Sequence, residues 1–151
     1  MKGNQQYWNP SLETLPQEKL AQLRLRKFKD IFRWAYEHSP FYHRLYQNAG
    51  IEPGDIKTYD DIRKVPRVDK ALLRDVSGKE PFPYGEILCV PLNEVTAYRQ
   101  TTGTTGQAVY VADTWQDWEM GIESYAFALY AQGYRDYDRV FFPFGSFIGL
   151  R

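Results

Sequence analysis

Residues 100–109 read QTTGTTGQAV, with four threonines and two glycines between two segments that look like strands. Glycine at 103 and 106 lets the backbone take positive φ and turn successive N–H groups toward one point. A concave run of amides of this kind surrounds phosphate oxygens. Thr101, Thr102, Thr104 and Thr105 add hydroxyl donors, and hydrogen bonds to a charged acceptor are the stronger kind. The stretch has no lysine, so it is not the GxxxxGKS/T loop, and charge compensation must come from a metal ion or from residues elsewhere. The same composition also makes a plain hairpin tip. The length exceeds the two-residue turns that antiparallel pairing prefers, which favours a built site. The residues alone leave both readings open.

Flanking elements must hold such a loop. EVTAYRQ before it and QAVYVAD after it carry the β-branched and aromatic residues of strands. TWQDWEMGIESYAFALYAQGY then reads as a helix, with Thr114 as cap, Asp117 and Glu119 in the first turns, and Gly133 at the stop. DRVFFPF follows as a short apolar strand of the type buried on both faces. Upstream, apolar Leu20, Leu23, Phe28, Ile31, Phe32 and Ala35 predict an amphipathic helix over residues 16–38. Thr14 is its expected cap, and Ser39-Pro40 ends it. Lys19, Arg26, Lys29 and Arg33 fall on the other face, read as a solvated face rather than a membrane or nucleic-acid surface. A second helix is expected from Pro40 to Ala49, stopped by Gly50. Shorter turns follow, one capped by Thr58 or Asp60 and one by Asp69.

This order, helices and then strand–loop–strand–helix–strand, is the beginning of an α/β layered domain. Composition shifts near residue 77, where SGKEPFPYGE reads as a connector, so residues 1–77 are expected to form a helical region and residues 78–151 the start of the α/β domain. Charge divides in the same way. Residues 1–75 carry 14 basic against 10 acidic side chains, and residues 76–151 carry 5 against 9. The whole chain of 151 residues is neutral, which gives no case for nucleic acid. A 43% apolar and 17% aromatic content fits a globular protein with a core. Cys89 is the single cysteine, so no intramolecular disulfide forms, and no Cys/His cluster has metal-ligand spacing. His38 and His43 flank a Ser-Pro turn and are read as surface or helix-end residues. No signal core and no membrane-length apolar run is present, so the cytoplasm is expected.

TTGTTG resembles the S/T-S/T-G-T-T-G signature of adenylate-forming enzymes, the acyl-CoA ligase superfamily. YWNPSLETLP, AYEHSPFY and VPRVDKALLR are similar, in this order, to motifs near the N-terminus of phenylacetate–CoA ligases, and VFFPFGSFIGL resembles a later strand and turn of that group. The resemblance implies an incomplete adenylate-forming α/β large domain preceded by a helical segment. It implies an ATP-dependent ligase that adenylates a carboxylic acid, releases pyrophosphate, and passes the acyl group to coenzyme A. A phenylacetate-like acid is the expected substrate, with Mg²⁺ accompanying ATP. Thr101, Thr102, Gly103, Thr104, Thr105 and Gly106 match the phosphate loop. Phe144, Gly145, Phe147 and Ile148 fall where the family approaches its acyl pocket. The family commonly has x-Pro after the motif, whereas this sequence has Gln107-Ala108, which removes a restraint but no donor. No match to the family's adenine, ribose, hinge or lysine motifs occurs, so the chain is expected to be the N-terminal part of such an enzyme and not fully active by itself. The competing expectation is a non-catalytic interaction module derived from the ligase N-terminus. A homodimer is compatible with either.

Overall fold

The computed structural model describes residues 5–101 and 108–139. Five helices and a two-stranded sheet follow in the order α1 (Pro10–Glu13), α2 (Gln17–His38), α3 (Pro40–Asn48), α4 (Lys70–Val76), β1 (Val95–Gln100), β2 (Tyr110–Thr114) and α5 (Trp115–Ala131). Short 3-10 turns lie at Pro53–Asp55, Asp60–Lys64 and Leu92–Glu94. No described helix is long and apolar enough to cross a membrane.

The start of the chain corrects one expectation. Asn9 caps α1 by accepting from Leu12 N, at 3.2 Å, and Pro10 sits in the first turn where its missing N–H costs nothing. Thr14 therefore closes α1, its hydroxyl donating to the Pro10 carbonyl at 2.6 Å, and does not cap α2. Pro16 occupies the cap position of α2 without a side-chain hydrogen bond.

The helical core forms where α2 meets α3 and the segment after it. Phe32, Tyr46, Ile51 and Ile56 are buried together, with Leu25, Phe28, Ala35 and Tyr36 packed around them. Phe32 and Tyr46 meet edge to face with centroids 4.6 Å apart, a favoured aromatic geometry. Burial pushes the Tyr46 phenol up to about 12, so it stays neutral. The expected apolar stripe of α2 is only partly the buried one. Phe28, Phe32 and Ala35 face the core, but Ile31 is exposed and Leu20 and Leu23 are half-buried. The helix carries two adjacent apolar stripes, and α3 covers the one containing Leu25, Phe28 and Phe32.

Ser39 ends α2 and starts α3, accepting from Tyr42 N at 3.4 Å. Gly50, at φ 65°, terminates α3 as its lack of a Cβ allows. His43 is half-buried, its Nδ1 2.8 Å from the Tyr36 carbonyl. Neither Thr58 nor Asp60 caps the next turn, where Tyr59 holds the cap position without a side-chain hydrogen bond. Asp61 Oδ2 instead reaches back to the segment before the turn, accepting from Lys57 N at 3.0 Å and Thr58 N at 2.7 Å. Asp69 caps α4 as expected, accepting from Leu72 N at 2.9 Å.

The Pro-rich connector is fastened at both sides. Glu86 is the main fastening. Its carbonyl accepts from Ser39 Oγ at 2.9 Å and from Phe41 N at 3.0 Å, and its carboxylate accepts from both terminal guanidinium nitrogens of Arg44, Nη1 and Nη2. That pairing holds the Glu86 carboxyl below its ordinary range. Gly85 is also required. It has φ 60°, and a Cβ there would run into the Val76 carbonyl oxygen. The peptides Glu80–Pro81 and Phe82–Pro83 are cis.

Candidate functional site

β1 and β2 pair antiparallel with Gln100 opposite Tyr110, Arg99 opposite Val111 and Tyr98 opposite Ala112. The register slips between Val95 and Ala97, and there Thr96 donates its hydroxyl to the Asp113 carbonyl at 3.2 Å. Arg99 reaches across the ladder to Asp113, with Nε–Oδ2 2.9 Å and Nη2–Oδ1 2.8 Å. This fork geometry ties the two strands and raises the Arg99 pKa further, through the hydrogen bonds to Asp113. Arg99 is thereby committed to the hairpin.

Beyond the last ladder pair, Thr101 closes the hairpin mouth. Its N–H donates to the Val109 carbonyl at 3.0 Å, and its hydroxyl accepts from Val109 N at 3.0 Å. Val109 is buried. Tyr110 N donates to Ser77 Oγ at 2.9 Å, and the Tyr110 ring meets Phe82 edge to face at 5.9 Å. Ser77 is fully buried at the end of α4. The hairpin is thus anchored to the helical part through Ser77, while Glu86 anchors the connector to α3.

β2 runs straight into α5 through a capping box. Thr114 Oγ1 accepts from Asp117 N at 3.3 Å, and Asp117 Oδ2 accepts from Thr114 N at 2.7 Å. The strand and helix expected on either side of the loop are present, with the cap at the expected residue.

Of the expected phosphate-loop residues, the structure places Thr101 at the hairpin mouth. Thr102, Gly103, Thr104, Thr105 and Gly106 lie outside the described residues, as do Phe144, Gly145, Phe147 and Ile148 of the expected acyl pocket and most of the strand expected from DRVFFPF. Ser77, Val109 and the Arg99–Asp113 pair were not identified from the sequence. Their roles depend on pairings across the hairpin or, for Ser77, from residue 77 to residue 110, which no local pattern encodes. Among the described residues no group of three or more His, Cys, Asp or Glu side chains could hold a metal ion.

No protein-family model matches the chain. Over 128 residues it is 36% identical to a phenylacetate-coenzyme A ligase of Thermus thermophilus, covering 85% of this chain and 27% of that protein. Over the stretch it covers, the chain is phenylacetate–CoA ligase-like. A phenylacetate-coenzyme A ligase of Aromatoleum evansii is 31% identical over 134 residues, 89% of this chain and 29% of its own length. Among solved structures, 2-hydroxyisobutyryl-CoA ligase in complex with 2-HIB-AMP and CoA, in the thioesterification state, superposes with TM-score 0.82 and 31% identity. That match covers 89% of this chain and 28% of the solved one. The chain thus spans less than a third of the length of the relatives it matches. Its helices and small sheet correspond to the N-terminal part of an adenylate-forming ligase fold.

Proposed function

We propose that the β1–β2 hairpin presents a nucleotide-phosphate loop, Thr101 to Gly106, and that the chain supplies this loop to an ATP-dependent carboxylate–CoA ligase. The observation that carries the reading is the Thr101–Val109 clamp, which closes the hairpin at 3.0 Å in both directions and brings the two ends of a Thr/Gly-rich connection together. Adenylation builds negative charge on the transferring phosphate and on leaving pyrophosphate. Donors fixed before the reaction stabilise that charge without reorganising. Arg99 is occupied by Asp113 and the Thr101 amide by the Val109 carbonyl, so the donors proposed for the phosphates are the threonine hydroxyls and the amides of residues 102–106. The nucleotide is proposed to enter as its magnesium complex, with the ion carried largely by the phosphates.

The acid is proposed to be phenylacetate or a similar aryl acid, on the 36% identity to the Thermus thermophilus enzyme. Coenzyme A is the proposed acyl acceptor, in keeping with the solved relative that holds 2-HIB-AMP and CoA. Residues 1–77 and 78–151 are proposed as the helical region and the start of the AMP-binding domain, joined by the Glu86 and Ser77 contacts.

Calorimetric titration of the chain tests the loop. Magnesium ATP and magnesium pyrophosphate are expected to bind and adenosine not to bind. The double variant Thr104→Val/Thr105→Val is expected to weaken phosphate binding roughly tenfold or more, as lost charge-assisted hydrogen bonds do. Binding that is equal for adenosine and ATP, or unaffected by the variant, overturns the reading. Acyl-dependent ATP–pyrophosphate exchange by the 151 residues alone is expected to be absent.

A further inference from the structure

We infer that the Arg99–Asp113 pair selects the register of the β1–β2 hairpin, and that both side chains are thereby positioning residues for the loop it carries. At the base of the ladder Val95 faces Thr114, but from Ala97 onward the partners are Asp113, Ala112, Val111 and Tyr110, so Thr96 is an extra residue on β1. Such a bulge leaves a residue unpaired and bends the strand. A ladder without it would continue the base pairing and set Ala97 opposite Ala112, Arg99 opposite Tyr110 and Gln100 opposite Val109. A slip of one residue moves every β1 side chain to the other face relative to β2. Arg99 shares a face with Asp113 in the bulged register alone. After the slip the two side chains stand on opposite faces, and the fork cannot form.

β2 is held independently of β1. Tyr110 N donates to Ser77 Oγ at 2.9 Å, and Thr114 is locked in the capping box of α5. The register is therefore decided by where β1 settles, and two side chains of β1 reach Asp113. The Thr96 hydroxyl donates to its carbonyl at 3.2 Å, and Arg99 donates twice to its carboxylate at 2.9 and 2.8 Å. The consequence for the loop lies at its mouth. In the bulged register Thr101 meets Val109, and its N–H points inward to the Val109 carbonyl at 3.0 Å. After the slip Thr101 would face Ala108 with its N–H turned away from β2, because inward and outward amides alternate along an antiparallel ladder. The Thr101–Val109 clamp exists in one register only.

The link to phosphate rests on the loop reading proposed above, whereas the register is measured without any ligand. In a Cys89→Ser background, Ala112→Cys is combined with either Tyr98→Cys or Ala97→Cys. Position 98 lies opposite 112 in the observed register. Position 97 does so only after the slip, its Cβ otherwise pointing to the other face, out of disulfide geometry. Disulfide formation is followed in a glutathione buffer by mass spectrometry. With Arg99 in place, the 98–112 pair is expected to oxidise and the 97–112 pair to stay reduced. Arg99→Met keeps the chain length and removes the donors. Arg99 is exposed and its pairing screened by solvent, so this variant is expected to raise the ratio of 97–112 to 98–112 oxidation roughly fivefold. Saturating magnesium pyrophosphate is expected to lower that raised ratio again, because a ligand of the clamped loop favours the register that forms it. An Arg99→Met ratio equal to that of the parent overturns the inference. A rise in both pairs alike also overturns it, because the fork then only tightens the hairpin. Pyrophosphate that binds by calorimetry but leaves the raised ratio unchanged overturns the positioning role. Absence of pyrophosphate binding by the parent chain overturns the loop reading and with it the positioning role, and the cysteine ratio still decides the register.

Discussion

Asp61 shows how much one side chain can organise. It is bonded to Lys64 Nζ at 2.6 Å, to the amides of Lys57 and Thr58, and to the Thr58 hydroxyl. All of these favour the ionised carboxylate, with the Lys64 hydrogen bond first, and its pKa falls well below the ordinary carboxylate range. A carboxyl whose folded value is depressed stabilises the fold above its unfolded value, about 3.9. That contribution disappears as pH falls through the lower folded value. Asp61→Asn is therefore expected to lower the urea midpoint at pH 7, where the carboxylate is ionised in both states. The gap between variant and parent should narrow below about pH 3.5 and close as the parent's own carboxyl protonates. Urea titrations between pH 7 and pH 2 measure this, and a gap independent of pH would show that the charge contributes nothing.

At the scale of elements, the hairpin depends on a serine in a distant helix end. Ser77 is fully buried and accepts from Tyr110 N at 2.9 Å. Ser77→Ala leaves the Tyr110 amide without that acceptor, and is expected to cost about 1–3 kcal/mol by thermal or urea unfolding. Because Tyr110 starts the strand that leaves the loop, the same variant is expected to weaken magnesium pyrophosphate binding, whereas a purely local loss would leave it unchanged. Such links explain what the sequence disclosed and what it did not. The α5 start was legible because Thr114 and Asp117 lie three apart, and a capping box needs nothing further. Helix α3 was legible from Ser39-Pro40 before it and Gly50 after it. The buried stripe of α2 was not, because Leu20, Leu23 and Ile31 repeat as well as Leu25, Phe28 and Phe32 do. Residues of α3 and Ile51 and Ile56, beyond the helix, decide between them. The loop's composition was visible as a phosphate candidate, but the Thr101–Val109 clamp and the Ser77 anchor arise from pairings that no local spacing encodes.

At the scale of the whole molecule, surface exposure predicts how the chain unfolds. An unfolded chain of 17.8 kDa exposes about 25,800 Å² by the linear relation with mass, and a compact native one about 8000 Å². This chain exposes 12006 Å² when folded. Unfolding therefore uncovers about three-quarters of the surface that a compact domain of equal mass would uncover. The dependence of unfolding free energy on urea scales with that newly exposed surface. The isolated chain is expected to show a urea slope about three-quarters of that of compact single domains near 150 residues. Urea titration of the chain, followed by far-ultraviolet circular dichroism, measures it. A full-size slope would mean that the chain in solution buries the α5 side chains that stand exposed here, Trp115, Ile122 and Tyr125 among them.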